Sequence, residues 1–423
     1  MTMLEGNERR EVAQRHTGAG FAIGRVLLAE AEPALLREWE ALAADPLHPN
    51  PFYTHAALDA LLTADPRARE GLQLICLRSA CGPDEGRLVG LLPWLRRGAR
   101  IGWQRGGANY TSPYLPCGTP LIARDAPEGW AESLIGALSN GAEPMILRHV
   151  PVSGPIGDAL LAALHDADAS WRSLDAFARP VATPAQSYDA FARRAYGRSR
   201  RKGLKRLRNA LSADANLTVD STIDPQACAA ATETFLTLEA GGWKGAGGTA
   251  LAQQDATRTM LGQLFRPDLP HGSRRVDQLL LDGRTIAISM SLVQDGTAFL
   301  WKTAYDETLR RHAPGIVLED AIVQALHAEP ALRGLDSCTL APSPLQDLYD
   351  ERLEIADLVI APGWAGKALI GAEQRLRALR RRAAGPPAGC GGFAAERVTA
   401  SGGPRADRPR WRAGGPDRGG SGR

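Results

Sequence analysis

The sequence predicts an α/β protein whose strands form a mixed sheet. The clearest evidence lies in residues 276–306, where three apolar runs are separated by Asp282-Gly283 and by Asp295-Gly296. Asp-Gly pairs supply the positive φ angles of tight hairpin turns, so this segment is typical of a three-stranded antiparallel meander. A helix predicted to begin near Pro314 and a further short strand, GLDSCTL, follow the meander.

The first half of the chain contains a fainter version of the same order. Strands are predicted at residues 72–77, 87–95 and 145–150, with a helix at residues 128–138 before the last of them. This order indicates an internal duplication. With 423 residues, of which 44% are apolar, the chain is long enough to bury two cores of ordinary size.

Three parts of the chain follow from these patterns. Residues 179–184 carry a Pro-containing break, which separates a predicted N-terminal half, 1–183, from a C-terminal half, 184–383. From residue 384 onward there is no apolar periodicity, and Gly, Pro and Arg recur. We expect this tail, 384–423, to be disordered.

Composition excludes several classes of protein. The net charge is +3, and the segment after Gly385 holds seven Arg against three acidic residues, so the remainder is nearly neutral and no chain-wide field indicates a nucleic-acid partner. No uncharged apolar run is long enough for a transmembrane helix, and the N-terminus is too charged for a signal peptide, which predicts a cytoplasmic protein. Six cysteines lack metal-ligand spacing, so we expect no metal.

The glycine-rich stretch LEAGGWKGAGGTAL, residues 238–251, raises the question of a phosphate-binding loop. A P-loop requires Ser or Thr after its Lys and a strand before its first Gly. Here Gly245 follows Lys244, and the residues before the stretch are predicted to be helical. The P-loop interpretation is therefore excluded.

A second candidate region begins with LWKTAYD at the end of the meander. Strict alternation predicts Trp301, Thr303 and Tyr305 on one face of the sheet, and Lys302, Ala304 and Asp306 on the other. The helix that begins at PGIV would then present free backbone N–H groups beside the sheet, which is a natural site for an anion. The alternative is that Pro314-Gly315 is only a helix start.

A strongly basic helix is predicted at residues 188–211. It holds nine Lys or Arg between Arg193 and Arg208 without an acidic residue, while Leu204, Leu207 and Leu211 form one apolar edge. An anionic acceptor such as a nucleotide-linked or lipid-linked sugar, a tRNA backbone and a membrane surface are competing partners for it. A merely solvated basic face is the remaining interpretation.

Four of these segments, taken together, resemble the GNAT acetyltransferase family allied to FemAB-type transferases and to the CelD-like proteins of cellulose biosynthesis. They are FLTLEAGGWKGAGGTAL, LLLDGRTIAISMSL, FLWKTAYDETLRRHAPGIVLEDAI and GLDSCTL, and NPFYTHAALDALL is similar to the N-terminal signature of that family. The resemblance spans residues 50–360. It implies two GNAT-like halves, of which the first shapes the acceptor cleft and the second binds an acyl donor.

The resemblance also implies roles for individual residues. Glu239 would be the general base, with a capping or ion-pairing role as the alternative, and Tyr305 would donate a proton to the departing thiolate. Lys302 and Asp306 would orient the substrate, unless they form a surface pair. Further acceptor contacts would come from Trp243, either a sugar platform or a core residue, and from Lys244, Arg201 and Lys205.

The donor implied by the resemblance is acetyl-CoA or another acyl-CoA, with its pyrophosphate held by Arg310, Arg311, His312, Pro314 and Gly315. The segment ETLRRHAPGIV carries fewer glycines than the usual GNAT loop and matches the FemAB-allied pattern better. An aminoacyl-tRNA donor is therefore the first alternative, in which the basic helix would contact the RNA. A non-catalytic accessory protein of polysaccharide synthesis is the second. Under the main hypothesis the acceptor is a polar, sugar-linked small molecule, with peripheral membrane contact left open.

Overall fold

A computed structural model describes residues 15–17, 20–139, 143–167, 169–340, 347–363 and 365–383 of the chain. The predicted disordered tail, 384–423, lies outside these residues. The strands are β1 (Arg15–Thr17), β2 (Phe21–Leu27), β3 (Leu72–Ser79), β4 (Leu88–Ile101), β5 (Gln104–Asn109), β6 (Leu121–Ile122), β7 (Met145–Pro151), β8 (Ala169–Ala182), β9 (Leu217–Thr222), β10 (Arg274–Leu281), β11 (Arg284–Gln294), β12 (Thr297–Tyr305), β13 (Gly334–Asp336) and β14 (Glu351–Pro362).

The α-helices lie on both faces of these strands. They are α1 (Pro33–Ala44), α2 (His55–Leu61), α3 (Pro66–Gly71), α4 (Trp130–Ser139), α5 (Gly154–Asp166), α6 (Tyr188–Ala195), α7 (Arg198–Leu211), α8 (Pro225–Ala240), α9 (Trp243–Ala246), α10 (Asp255–Leu264), α11 (Pro314–Ala328) and α12 (Gly366–Ala383). Within the described part of the chain, no helix is long and apolar enough to cross a membrane.

One mixed sheet of 14 strands runs through the molecule in the order β1-β2-β3-β4-β5-β7-β14-β8-β13-β12-β11-β10-β9, with β6 beside β4. The pairs β5–β7 and β12–β13 are parallel, and the other neighbours along this order are antiparallel. Each parallel pair is connected through a helix, as parallel strands require. The predicted α/β class with a mixed sheet is confirmed.

The same order of elements occurs twice. The first half contains β2, helices α1–α3, the meander β3–β5, helix α4 and the parallel strand β7. The second half contains β9, helices α8–α10, the meander β10–β12, helix α11 and the parallel strand β13. The predicted pair of similar halves is therefore confirmed.

The two halves exchange strands. Strand β8, which follows the first half in sequence, lies between β14 and β13, while β14, from the end of the second half, lies between β7 and β8. Register pairs join β14 to β8 along nearly its whole length, from Glu351↔Val181 to Pro362↔Ala169. Neither half therefore has a complete sheet of its own.

Sequence patterns located the turns of the second half well. Asp282 and Gly283 have φ angles of 50° and 79°, and the second Asp-Gly pair is similar, with both residues at positive φ. The predicted meander and the start of α11 at Pro314 are thereby confirmed. The strand predicted at GLDSCTL is shorter than expected, because only Gly334–Asp336 pairs with its neighbours.

Two boundaries differ from the sequence prediction. The predicted basic helix is two helices, α6 and α7, because Tyr196 and Gly197 have extended backbone angles between them. The Tyr196 side chain is buried there, and its hydroxyl donates to the Leu348 carbonyl at 3.0 Å. Arg179–Ala182, the first part of the segment that was predicted to mark the boundary between the halves, belongs to β8.

Arg179, near the end of β8, is a buried residue that contacts several segments of the chain. Its side chain is 1% exposed, and its guanidinium donates to the carbonyls of Pro116 at 2.8 Å and Thr339 at 3.2 Å. The carboxylate of Asp336, at the end of β13, lies 3.6 Å from it. One buried cation therefore connects β8 to a loop of the first half and to β13 of the second.

We expect Arg179→Leu to lower the free energy of unfolding by about 3–5 kcal/mol, because it leaves the Asp336 carboxylate buried without its cation. Urea unfolding at neutral pH measures the change. The matched control is Arg69→Leu, which removes an exposed pair with Asp59 and should cost less than about 1 kcal/mol. Equal losses in the two variants would contradict the importance of the buried cation.

Glu319 is a buried carboxyl in the second turn of α11. Tyr349 donates a hydrogen bond to it, but burial dominates and raises the pKa of Glu319 to about 8. The folded chain therefore retains this proton at pH values where an unfolded glutamic acid, with a pKa near 4.5, has lost it.

Stability should consequently fall as pH rises from about 4.5 to about 8, since the folded state binds the additional proton in this window. We expect Glu319→Gln, which keeps an acceptor for Tyr349, to make the fall in Tm smaller across that window. Thermal unfolding followed by circular dichroism gives the slope. Glu354→Gln, an exposed carboxyl of β14, is the control and should leave the slope unchanged.

Candidate active site

The parallel pair β12–β13 is short. Pairing begins at Thr297↔Gly334 and stops at Phe299↔Asp336, where β13 ends. Strand β12 continues to Tyr305 while it remains paired with β11 on its other side. The second half of β12 therefore extends beyond the end of its parallel neighbour.

A β-bulge changes which side chains of β12 face each side. The register with β11 passes from Leu300↔Ser291 to Lys302↔Met290, so Trp301 is an additional residue. Trp301 consequently lies in the same apolar cluster as Phe299 and Ala304, whereas Tyr305 packs against the cluster on the other face. The predicted alternation, with Trp301 and Tyr305 on one face, was wrong because it assumed an unbroken strand.

The turn after β12 leads directly into α11. Residues Glu307–His312 form a 3-10 turn that ends in Arg310, Arg311 and His312, and Ala313 then adopts a left-handed conformation at φ 44°. No side chain caps the N-terminus of α11, and its first turn contains no acidic residue. Backbone N–H groups and nearby cations therefore make this loop suitable for an anion.

The predicted donor-loop residues lie together at this point. Arg310 and Arg311 are exposed, and Arg311 Nε donates to His312 Nε2 at 2.8 Å. Pro314 and Gly315 are buried as the first residues of α11, so they contribute backbone rather than side-chain contacts.

Asp306 stabilises the same loop. Its carboxylate accepts hydrogen bonds from the Thr308 backbone at 3.0 Å and hydroxyl at 2.6 Å, and from Arg284 Nη1 at 2.7 Å. Burial opposes ionisation, but the hydrogen bonds from Thr308 and Arg284 outweigh it and lower the pKa of Asp306. These contacts hold the start of the donor loop against β11.

A small pocket lies between the end of α8, the short helix α9 and the end of β12. It brings together four of the predicted site residues, Glu239, Trp243, Lys244 and Tyr305. Its remaining lining comes from Leu238, Gly242, Thr303, Ala304 and Glu307. Lys302 and Asp306 are not part of this lining, although Lys302 directly precedes the lining residue Thr303.

Glu239 is held by contacts to both of its carboxylate oxygens. The side chain is 4% exposed, Lys244 Nζ lies 2.7 Å from Oε1, and the Leu251 backbone N–H donates to Oε2 at 2.8 Å. The Glu239 carboxylate thereby holds the glycine-rich segment at two points, Lys244 and Leu251. Gly245 within this segment packs so closely on the Ala240 carbonyl that a Cβ would lie 1.8 Å from its oxygen.

Trp243 stands at the rim of the pocket and is 46% exposed, which excludes the core role left open by the sequence. The Lys244 ammonium lies 6.0 Å from the centre of the indole. An exposed indole beside a buried ion pair provides a flat apolar surface next to a polar group.

Tyr305 lies across the pocket from this pair. Burial, reinforced by the nearby Glu307 carboxylate, raises the pKa of Tyr305 to about 12. The phenol therefore retains its proton at neutral pH and is a potential proton donor. Glu307 was not among the predicted site residues, although it directly follows the LWKTAYD motif.

Lys302 and Trp301 contact the first half of the chain through Tyr114. The Trp301 indole donates to the Tyr114 carbonyl at 2.8 Å, and the Lys302 ammonium lies 5.2 Å from the centre of the Tyr114 ring. Burial and the negative charge of Glu239 raise the pKa of the Tyr114 phenol. Sequence reasoning missed Tyr114, and the available signal was the aromatic, Pro-containing loop NYTSPYLP after β5.

The predicted acceptor contacts Arg201 and Lys205 lie outside this pocket. Both are exposed on α7, whose buried edge contains Leu204 and Leu211. Helix α7 packs against α11 and against the 3-10 turn that carries Arg310 and Arg311. These two cations therefore lie on a helix that contacts the predicted donor loop.

Comparison with known proteins gives one family match. Residues 198–342 match the family model described as "Acetyltransferase (GNAT) domain", which covers α7 to the segment after β13. No curated protein sequence matches the chain.

The chain is also similar to several solved structures. The C-terminal domain of a putative lysylphosphatidylglycerol synthetase from Agrobacterium fabrum is 11% identical, with 81% of this chain and 96% of that chain covered and a TM-score of 0.48. FemX is 10% identical, with coverage of 81% and 98% and a TM-score of 0.48. A tandem GNAT protein of clavulanic acid biosynthesis is 18% identical, with coverage of 81% and 99% and a TM-score of 0.40.

The family model covers the segment that contains the β12–β13 pair, the donor loop and α11. Residues 198–342 are therefore the part of the chain that is similar to the GNAT domain family.

Proposed function

We propose that the protein is an acyl-CoA-dependent N- or O-acyltransferase that moves the acyl group directly to a polar, sugar-linked acceptor. The observation that carries the proposal is the parallel pair that stops at Phe299↔Asp336, followed by the uncapped N-terminus of α11. An extended thioester would lie along β12 beyond this pair, and a pyrophosphate fits the helix N-terminus.

The donor would be acetyl-CoA or another acyl-CoA. The pyrophosphate would be held by the free backbone N–H groups in the first turn of α11, after Pro314, and by the side chains of Arg310 and Arg311. Backbone donors on the second half of β12 would polarise the thioester carbonyl, which is where negative charge develops during acyl transfer. The GNAT family match of this segment supports this donor.

Transfer would proceed in a ternary complex. The acceptor nitrogen or oxygen attacks the thioester carbonyl, the carbon–sulfur bond breaks, and coenzyme A leaves as its thiol. We assign proton removal from the acceptor to Glu239 Oε1, which pairs with Lys244 before the acceptor arrives. The protonated phenol of Tyr305 would supply a proton to the departing sulfur.

The acceptor would bind between the two halves. Lys244 and Lys302 provide positive charge, Trp243 provides an exposed aromatic face, and Tyr114 brings a ring from the first half. A hydroxylated ring that stacks on an indole and bonds to charged groups fits this combination. Asp306 would act by positioning the donor loop.

An aminoacyl-tRNA donor is the second candidate function. The exposed cations of α7, which lie beside the donor loop, favour it. Salt-sensitive binding of charged tRNA, together with no binding of acyl-CoA, would support this alternative. An accessory protein without catalysis would bind neither donor.

Calorimetric titration with acetyl-CoA tests the donor. We expect saturable binding by the wild-type chain and binding at least about 10-fold weaker in Arg310→Gln/Arg311→Gln, because two cations near the pyrophosphate are removed. Arg67→Gln, an exposed arginine of α3 in the first half, is the control and should bind normally. Absence of binding by the folded wild-type chain would contradict the proposal.

Release of free coenzyme A in an acceptor screen tests the chemistry. We expect Glu239→Gln to reduce turnover by about 100-fold or more and Tyr305→Phe by about 10-fold or more, with acetyl-CoA binding retained in both. Glu233→Gln, an exposed carboxyl of the same helix α8, serves as the control. Full turnover in Glu239→Gln would remove Glu239 from the mechanism.

A further inference from the structure

Helix α7 carries a row of exposed cations that the proposed mechanism does not use. Arg201, Lys205 and Arg208 are spaced at i, i+4 and i+7, so they follow one flank of the helix beside its buried Leu204. We call these three residues the α7 cation row. Among the described residues, none of the three forms an ion pair with an acidic side chain.

The helix that carries the row is fixed beside the donor loop. Leu204 and Leu211 belong to the same apolar cluster as Ile316 of α11, and Leu309 and Ala313 of the loop pack against this cluster. Arg208 also lies close enough to α11 to favour the ionised form of Asp320 there. Helix α7 therefore contacts the donor loop, and we infer that the exposed cations of both form one positively charged surface.

The burial of the apolar edge of α7 limits what this surface can bind. Because Leu204 and Leu211 are in the protein core, α7 has no apolar face with which to enter a lipid layer. The remaining attraction is between the cations and phosphate groups. A ligand that is already held at the donor loop and carries a further phosphate would satisfy both parts of the surface.

Coenzyme A has such a group. Its pyrophosphate is attached to the 5′ carbon of a ribose whose 3′ carbon carries a separate phosphate monoester, one sugar ring away. The helix N-terminus with Arg310 and Arg311 accounts for the pyrophosphate alone. We propose that the α7 cation row binds the 3′-phosphate of the acyl-CoA donor, so that the protein discriminates coenzyme A from dephospho-coenzyme A. This inference rests on the proposed acyl-CoA function.

The test compares coenzyme A with dephospho-coenzyme A, which differs only in lacking the 3′-phosphate. Calorimetric titrations at one fixed ionic strength should give wild-type protein a preference of about 10-fold or more for coenzyme A. Arg201→Gln/Lys205→Gln should lose this preference while its affinity for dephospho-coenzyme A stays at the wild-type value. All of these positions are exposed, so folding should be unaffected.

A second double variant distinguishes a specific contact with the 3′-phosphate from a general electrostatic attraction to the helix. Lys202→Gln/Arg206→Gln removes one Lys and one Arg from the same helix, away from the cation row, and should keep the preference. Equal wild-type affinity for the two ligands, or equal losses in the two double variants, would overturn the inference and leave the acyl-CoA function intact. Failure of wild-type protein to bind either ligand would instead overturn the proposed function itself.

Discussion

The candidate site depends on where one short parallel ladder stops. Strands β12 and β13 share three register pairs, and the ladder ends at Phe299↔Asp336. A longer ladder would occupy the edge of β12 on which the proposed thioester would lie. The bulge at Trp301 adds one residue to β12 in the same region and changes which face the following residues occupy.

The donor loop follows from the same geometry. Because β12 extends beyond its parallel neighbour, its last residue lies past the end of the ladder, and the chain passes from there through the 3-10 turn into α11. Asp306, anchored to Arg284 of β11, keeps this passage short. The left-handed backbone of Ala313 then leads into the first turn of α11. Strand, loop and helix thus form one continuous segment, and we propose that this segment binds the donor.

The part of the candidate site proposed to bind the acceptor differs from the donor loop, because residues from both halves of the chain form it. Tyr114 reaches Trp301 and Lys302 from a loop of the first half. A second connection lies nearby, where Gln294 of β11 accepts from the Asn50 backbone at 2.6 Å and donates to the Ala43 carbonyl at 2.6 Å. These connections fix the distance between the halves. The proposed acceptor site would therefore depend on the contacts between the two halves and not on either half alone.

Local patterns predicted the elements that local chemistry controls. The Asp-Gly turns and the helix start at Pro314 follow from backbone preferences of a few adjacent residues, and all are present. The bulge at Trp301 could not be predicted, because periodicity assumes that each strand residue has one partner. The break at Gly197 depends on a tertiary contact, the Tyr196 hydroxyl at Leu348.

The sequence likewise predicted some residues of the candidate site and missed others. The pocket that joins Glu239, Trp243, Lys244 and Tyr305 combines two motifs of the second half that the sequence had singled out. The contribution of Tyr114 was invisible, because nothing in a single sequence connects the loop after β5 with a strand nearly two hundred residues later. Contacts between distant segments of the chain are decided by packing and leave no local pattern.

The exchange of β8 and β14 has a consequence for how the chain is made. A ribosome releases β7 and β8 early, but the strand that lies between them, β14, emerges only after the meander β10–β12 and helix α11. Until then each of these two strands presents an unpaired edge to the surrounding solution, which is a template for association with other chains. The nascent chain therefore passes through an extended period in which its central sheet is open, and holdase chaperones that cover strand edges are the cellular factors whose supply should limit its yield.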